Sequence, residues 1–150
     1  MKLNNKGFTI VELMATVIIL ALLVFIMVPN IKHLIDKNNE NNYKTFEKSI
    51  LSATKILLSD YRYDILIDGA CNNNTEVKNI KTINTYKVKD SKIPIKILID
   101  ENNLTTSKDG NIYNPKNKEQ TLDINNSYIT IKYQCKNKKY TYEIENLIWN

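Results

Sequence analysis

Glycine is scarce in this 150-residue chain: Gly7, Gly69 and Gly110 are the only three. The glycine-clustered phosphate-binding loops, GxGxxG and GxxxxGK, are therefore excluded. Histidine occurs once, at His33, so a Ser-His-Asp triad or a multi-histidine zinc site would have to be built on that residue alone. The two cysteines, Cys71 and Cys135, are too few for a four-cysteine metal site within one chain. No nucleophile–base pair and no metal-ligand spacing stands out. The chain is read as a non-enzyme, with no catalytic residue, metal site or cofactor assigned. Charge of one sign is also in short supply. The net charge of +5 includes Lys2 and Lys6; without those two the balance is 19 basic to 16 acidic residues, or +3. A dispersed charge of that size is weak grounds for binding nucleic acid.

Apolar residues make up 43% of the chain and charged residues 25%, enough for one domain with a modest core. They are unevenly spread. From Phe8 to Val28 the only charged residue in 21 is Glu12. As a helix this run spans about 31 Å, roughly the thickness of bilayer hydrocarbon. It is apolar almost all round, so it needs a membrane or a large core about it. A chain this small has no such core to offer. Lys2 and Lys6 precede the run, which keeps the N-terminus cytoplasmic and places the rest of the chain outside. A secretory signal peptide would end at a small-x-small cleavage site, whereas this run ends at Pro29-Asn30. A plain anchor fits the length but leaves Glu12 unexplained. A carboxylate at the centre of a membrane helix costs about 2.5–3.5 kcal/mol, so its presence asks for a function.

The segment Lys6-Gly7-Phe8-Thr9-Ile10-Val11-Glu12-Leu13 resembles the prepilin signature of type IV pilins and type II secretion pseudopilins. The resemblance implies that a prepilin peptidase cuts between Gly7 and Phe8 and methylates the new amine of Phe8. It implies that Glu12 serves subunit assembly by neutralising the N-terminal amine of a neighbouring subunit. A pair of unit charges 4 Å apart gains about 4 kcal/mol at an effective dielectric of 20. Glu12 would also favour the start of a helix through the macrodipole, a smaller effect. Pro29 stands where many members of the family carry a proline. It either ends the span or kinks the helix, and the resemblance favours a kink.

Helical spacing resumes beyond Pro29. Ile31, Leu34 and Ile35 fit one face. Tyr43, Phe46, Ile50, Ala53 and Leu57 then recur at steps of 3, 4, 3 and 4. One continuous helix from Phe8 to about Ser59 is expected, with the aromatic stripe in the core and His33 solvated near the membrane surface. Residues 60–89 are poor in pattern, with a turn expected at Asp68-Gly69. Ile93, Ile95, Ile97 and Ile99 alternate with Pro94, Lys96 and Leu98, which predicts a strand with Pro94 at an edge or start. Residues 102–118 read as loop, with a turn at Asp109-Gly110. Ile129, Ile131, Tyr133 and Cys135, followed by Tyr140, Tyr142 and Ile144, predict a C-terminal antiparallel hairpin.

The expected architecture is α+β and pilin-like. A long N-terminal helix, its first half membrane-spanning, packs on a C-terminal antiparallel sheet. The expected organisation is a leader at 1–7 and a transmembrane, filament-core helix at 8–29. An amphipathic helix at 30–59 and an extracellular β domain at 60–150 follow. Cys71 and Cys135 both fall outside the membrane, where an even pair favours a disulfide, with two free thiols as the alternative. Asp100–Asn103 and Asp109–Asn111 offer oxygen ligands but match no EF-hand. Lys136, Lys138 and Lys139 beside Tyr140 and Tyr142 have the composition of a single-strand nucleic-acid contact, and more simply of a solvated hairpin tip. Asn73, Asn103 and Asn125 open N-x-[ST] sequons, which chance supplies in an asparagine-rich chain.

The resemblance implies a structural subunit of a type IV pilus or related filament, minor rather than major. The alternative is a type II secretion or competence (DNA-uptake) pseudopilin. Implied partners are the prepilin peptidase, other pilin subunits in a homo- or hetero-filament, an inner-membrane assembly platform, an assembly ATPase and the membrane itself. The implied location is a single-pass cell-membrane protein that becomes extracellular on assembly.

Overall fold

The computed structural model describes residues 8–60, 64–83 and 86–150. Helix α1 runs from Ile10 to Ser59, fifty residues, and Pro29 and Asn30 lie within it. The chain divides into two compact units, one ending at Asn39 and the other spanning Glu40–Asn150.

In the second unit the predicted stripe on α1 forms one wall of the core. Ile50 and Leu57 are fully buried and Ala53 nearly so, while Phe46 packs at the margin. Thr54 is buried among them, and its hydroxyl donates to the Ile50 carbonyl at 2.8 Å, so no polar atom is stranded. On the outer face Glu40 and Lys44 pair at 2.9 Å. Trp149, the only tryptophan, sets its ring 5.8 Å from Phe46 and 6.3 Å from Tyr43. The Lys116 ammonium lies 4.4 Å from the centre of the Tyr43 ring.

The other wall is an antiparallel sheet of six strands among the described residues. These are β1 (Ile65–Ile67), β2 (Val77–Ile83), β3 (Tyr86–Lys87), β4 (Lys92–Pro94), β5 (Tyr128–Gln134) and β6 (Lys139–Asn146). The order is β1-β2-β5-β4, with β3 also on β2 and β6 also on β5. Ile80, Ile83, Ile93, Ile129 and Ile131 are buried against the helix stripe in one core cluster. The C-terminal hairpin has the expected alternation, with Ile129 opposite Ile144, Ile131 opposite Tyr142 and Tyr133 opposite Tyr140.

The sequence gives no sign of β1–β3, and the pairing explains why. Leu66 pairs with Thr82 but Ile67 pairs with Ile80, so Lys81 is an extra residue in β2. This bulge brings Ile80 and Ile83, three apart, to the buried face and erases the period-two signal. The predicted strand across Ile93–Ile99 is corrected beyond Pro94. Residues Ile95–Asp100 form a short helix, α2. Leu98, which a strand would place on the opposite face from the isoleucines, is fully buried with Ile95, one helical turn away. The first free amides of α2 find partners elsewhere in the chain: Ile95 N–H donates to the Ser127 carbonyl at 2.9 Å and Lys96 N–H to the Ile124 carbonyl at 3.0 Å. Lys96 and Asp100 pair at 2.7 Å along the exposed side.

The turn before β4 holds two consecutive non-glycine residues in the left-handed region, Asp90 (φ 53°) and Ser91 (φ 61°). Ser91 is fully buried. Its hydroxyl accepts the Ile80 N–H at 3.0 Å and donates to Asn79 Oδ1 at 3.1 Å. These bonds offset a backbone conformation that costs about 1 kcal/mol or more. Both predicted glycine turns occur, with Gly69 at φ 75° and Gly110 at φ 82°.

Cys71 and Cys135 are disulfide-bonded, with 5.8 Å between their Cα atoms and a sequence separation of 64. The bond fastens the loop after β1 to the end of β5. Beside it the Glu76 carboxylate accepts Lys78 Nζ at 2.5 Å and the Asn72 N–H at 2.9 Å, and both hold it below the usual carboxylate range. Closing a loop of this length stabilises a fold by about 4 kcal/mol through the entropy of the unfolded chain. Reducing the bond in the full chain should therefore lower its stability by about that amount. Urea titration followed by Trp149 fluorescence, with and without reductant, measures the difference.

Candidate functional site

The N-terminal unit carries the chemistry that the sequence singles out. Gly7 lies outside the described residues. Phe8 is 77% exposed and precedes the helix. Thr9 caps α1, and its contacts with Glu12 are reciprocal. The Thr9 N–H donates to Glu12 Oε2 at 2.9 Å and the Thr9 hydroxyl donates to the same oxygen at 2.8 Å. In return the Glu12 N–H reaches the Thr9 hydroxyl oxygen at 3.3 Å. This is a capping box, which satisfies two otherwise free amides at a helix start. Its signature, Thr-x-x-Glu ahead of an apolar run, is present in the sequence. The reading of Glu12 as a dipole partner passes over it.

The next polar residue is treated in the same way. Thr16 donates its hydroxyl to the Leu13 carbonyl at 2.8 Å. Glu12 and Thr16 are the only polar side chains between Ile10 and Val28, so each polar side chain of the run has a partner inside its own helix. Every side chain from Ile10 to Val28 is exposed; among the large apolar ones Leu23 is least so, at 46%, and Phe25 most, at 83%. A continuous apolar surface of this kind marks contact with lipid or with other protein. His33 is exposed on the same helix.

The hairpin lysines do not form one group. Lys136 lines a cavity with Glu76 and Gln134. Lys138 and Lys139 instead face Lys55 of α1 across a cleft of about 420 Å³ walled by Tyr140 and Tyr142. Lys55 has no sequence neighbour to announce this; only the packing of α1 on β6 brings it there. No carboxylate pairs with these three ammonium groups among the described residues. Burial, and then the neighbouring Tyr133, raise the Tyr140 phenol above its ordinary pKa. The Asp100 carboxylate is taken by Lys96, and that of Asp109 by Asn111 and the Tyr113 hydroxyl. No group of three or more metal-ligating side chains occurs among the described residues.

Residues 2–28 match the prokaryotic N-terminal methylation motif, the signature of type IV pilins and pseudopilins. No curated protein and no solved structure matches the chain. The motif supports a type IV pilin-like or pseudopilin subunit and points to a structural role rather than an enzymatic one. It implies processing by prepilin peptidase and assembly with other pilins. Together with the apolar helix it fits a single-pass membrane anchor. The match ends within α1, so it bears on that segment and not on the sheet.

The cap can be tested alone. Thr9→Ala removes both side-chain contacts of Thr9 and should cost the helix start about 1 kcal/mol. Amide exchange at Glu12 in micelles should speed about fivefold, and Thr9→Ser should restore the native rate.

Proposed function

We propose that the chain is a structural subunit of a type IV pilus or related filament, minor rather than major. Prepilin peptidase removes residues 1–7 by cutting between Gly7 and Phe8, and the new amine of Phe8 is methylated. Residues 8–29 hold the subunit in the cell membrane and then line the filament core. Residues 30–59 continue into the external domain, and residues 60–150 lie outside the cell. One observation carries this reading: an entirely exposed apolar helix face with its single acid four residues from Phe8.

Each state of the subunit satisfies a different group. In the monomer the Glu12 carboxylate is held, among the described residues, by the Thr9 cap. Cleavage creates a cation at Phe8, and a neighbour's cation can then meet the acid. At 4 Å and an effective dielectric of 20 that pair is worth about 4 kcal/mol, more than the roughly 1 kcal/mol of a cap. The exchange favours the filament over the membrane pool. The assembly platform and its ATPase supply the work of extraction. Pro29 removes one backbone hydrogen bond from the helix, which makes it the place where the helix bends in the filament.

Mass spectrometry of the native protein from membrane and sheared-surface fractions tests this. A methylated N-terminus at Phe8, at low stoichiometry in the sheared fraction, is expected. An intact Met1 would overturn it.

A second reading, a DNA-uptake pseudopilin, draws support from the Lys55, Lys138 and Lys139 cleft with its two tyrosine walls. Three lysine–phosphate contacts give a slope of log affinity against log salt of about −2 for a single strand. Lys55→Ala should reduce it by about 0.7. A flat salt response removes this reading.

A further inference from the structure

A groove of about 490 Å³ opens between α1 and the long connection from α2 to β5. That connection covers residues 101–127 without a regular element. Structureless connections of such length in a compact unit are usually functional. This one is firmly fastened. Leu104 N–H donates to the Leu98 carbonyl at 3.0 Å, Leu122 N–H to the Ile112 carbonyl at 2.8 Å and Asp123 N–H to the Ile148 carbonyl at 2.8 Å.

The lining has an unusual composition for this chain. A quarter of all residues are charged, yet no residue lining the groove carries a charge. Two of its lining residues, Leu104 and Ile112, are apolar and buried and form its floor. Its rim is amide and hydroxyl. The Asn103 amide and the hydroxyls of Thr105 and Thr106 make no hydrogen bond to the protein among the described residues. Two aromatic rings complete it, and both are held in place. Phe46 is backed by Trp149 at 5.8 Å between ring centres. Tyr113, 39% exposed, donates its hydroxyl to Asp109, whose carboxylate also accepts the Asn111 amide.

This chemistry selects its ligand. A charged ligand would lose water and gain no counter-charge. A purely apolar one would leave the rim amide and hydroxyls unpaired. A pyranose ring has what the groove lacks: an apolar C–H face for the rings and the floor, and an edge of hydroxyls for Asn103, Thr105 and Thr106. Fixed rings and a pinned loop also lower the ordering cost of binding. We propose that this groove is a binding site for an uncharged pyranoside. The site lies wholly within the second unit and does not depend on the filament reading.

The test uses the full chain in a non-glycosidic detergent, because sugar-headed detergents would compete. Saturation-transfer NMR is run against the methyl glycosides of glucose, galactose and mannose, with glucuronic acid as the charged control. At least one neutral glycoside should receive saturation at its ring C–H protons, with affinity unchanged between low and high salt. Asn103→Ala and Tyr113→Ala should each weaken binding about fivefold or more, while thermal midpoints confirm that both variants fold. Absence of transfer to all three neutral sugars overturns the proposal. So does preference for glucuronic acid, or equal binding by native protein and both variants. None of these outcomes touches the processing at Gly7-Phe8, which is read by mass spectrometry.

Discussion

Burial of one stripe on α1 holds the second unit together. Ile50, Ala53 and Leu57, with Phe46 at the margin, meet Ile80, Ile83, Ile93, Ile129 and Ile131 of the sheet in a single cluster. Each fully buried aliphatic side chain contributes about 1.5–3 kcal/mol. Among the described residues the sheet has no second helix of comparable length to cover that face, since α2 offers only six residues. The bulge at Lys81, the buried Ser91 and the short helix after Pro94 all serve to keep isoleucines pointed at this one stripe.

The first unit obeys the opposite rule. Its helix has no stripe, because every side chain from Ile10 to Val28 is exposed. Such a surface is stable only where water is absent. Its two polar side chains are each satisfied inside the helix by Thr9 or by a carbonyl one turn back. This lowers the cost of placing them in hydrocarbon. It also leaves the Glu12 carboxylate at the very end of the helix, where a cation from another chain can reach it. In the proposed reading, anchor and assembly element are thus one stretch of chain under one physical demand.

Candidate binding chemistry of the second unit sits on connections rather than on the core. The disulfide fastens one of them, and main-chain bonds to the C-terminal residues fasten another. The lysine cleft and the uncharged groove both have α1 as one wall. The part of α1 within the second unit therefore also positions the surfaces through which that unit would meet other molecules.

Much of this was written locally in the sequence. The long helix, its core stripe, the C-terminal hairpin and the glycine turns each depend on neighbours within a few residues, where periodicity and turn chemistry act. The N-terminal signature is of the same kind, as is the Thr9–Glu12 box. Other features needed distant partners. Ile95–Asp100 became helical because carbonyls at Ile124 and Ser127 accept its first amides and Leu98 has a core to enter. β2 escaped notice because its bulge is defined only by pairing with β1. Lys55 joined Lys138 and Lys139, and Phe46 and Ser49 met Asn103 and Tyr113, only when α1 packed on the sheet and the loop. Periodicity reports which face a residue takes, but which residues share a surface across tens of positions is decided by the packing of whole elements.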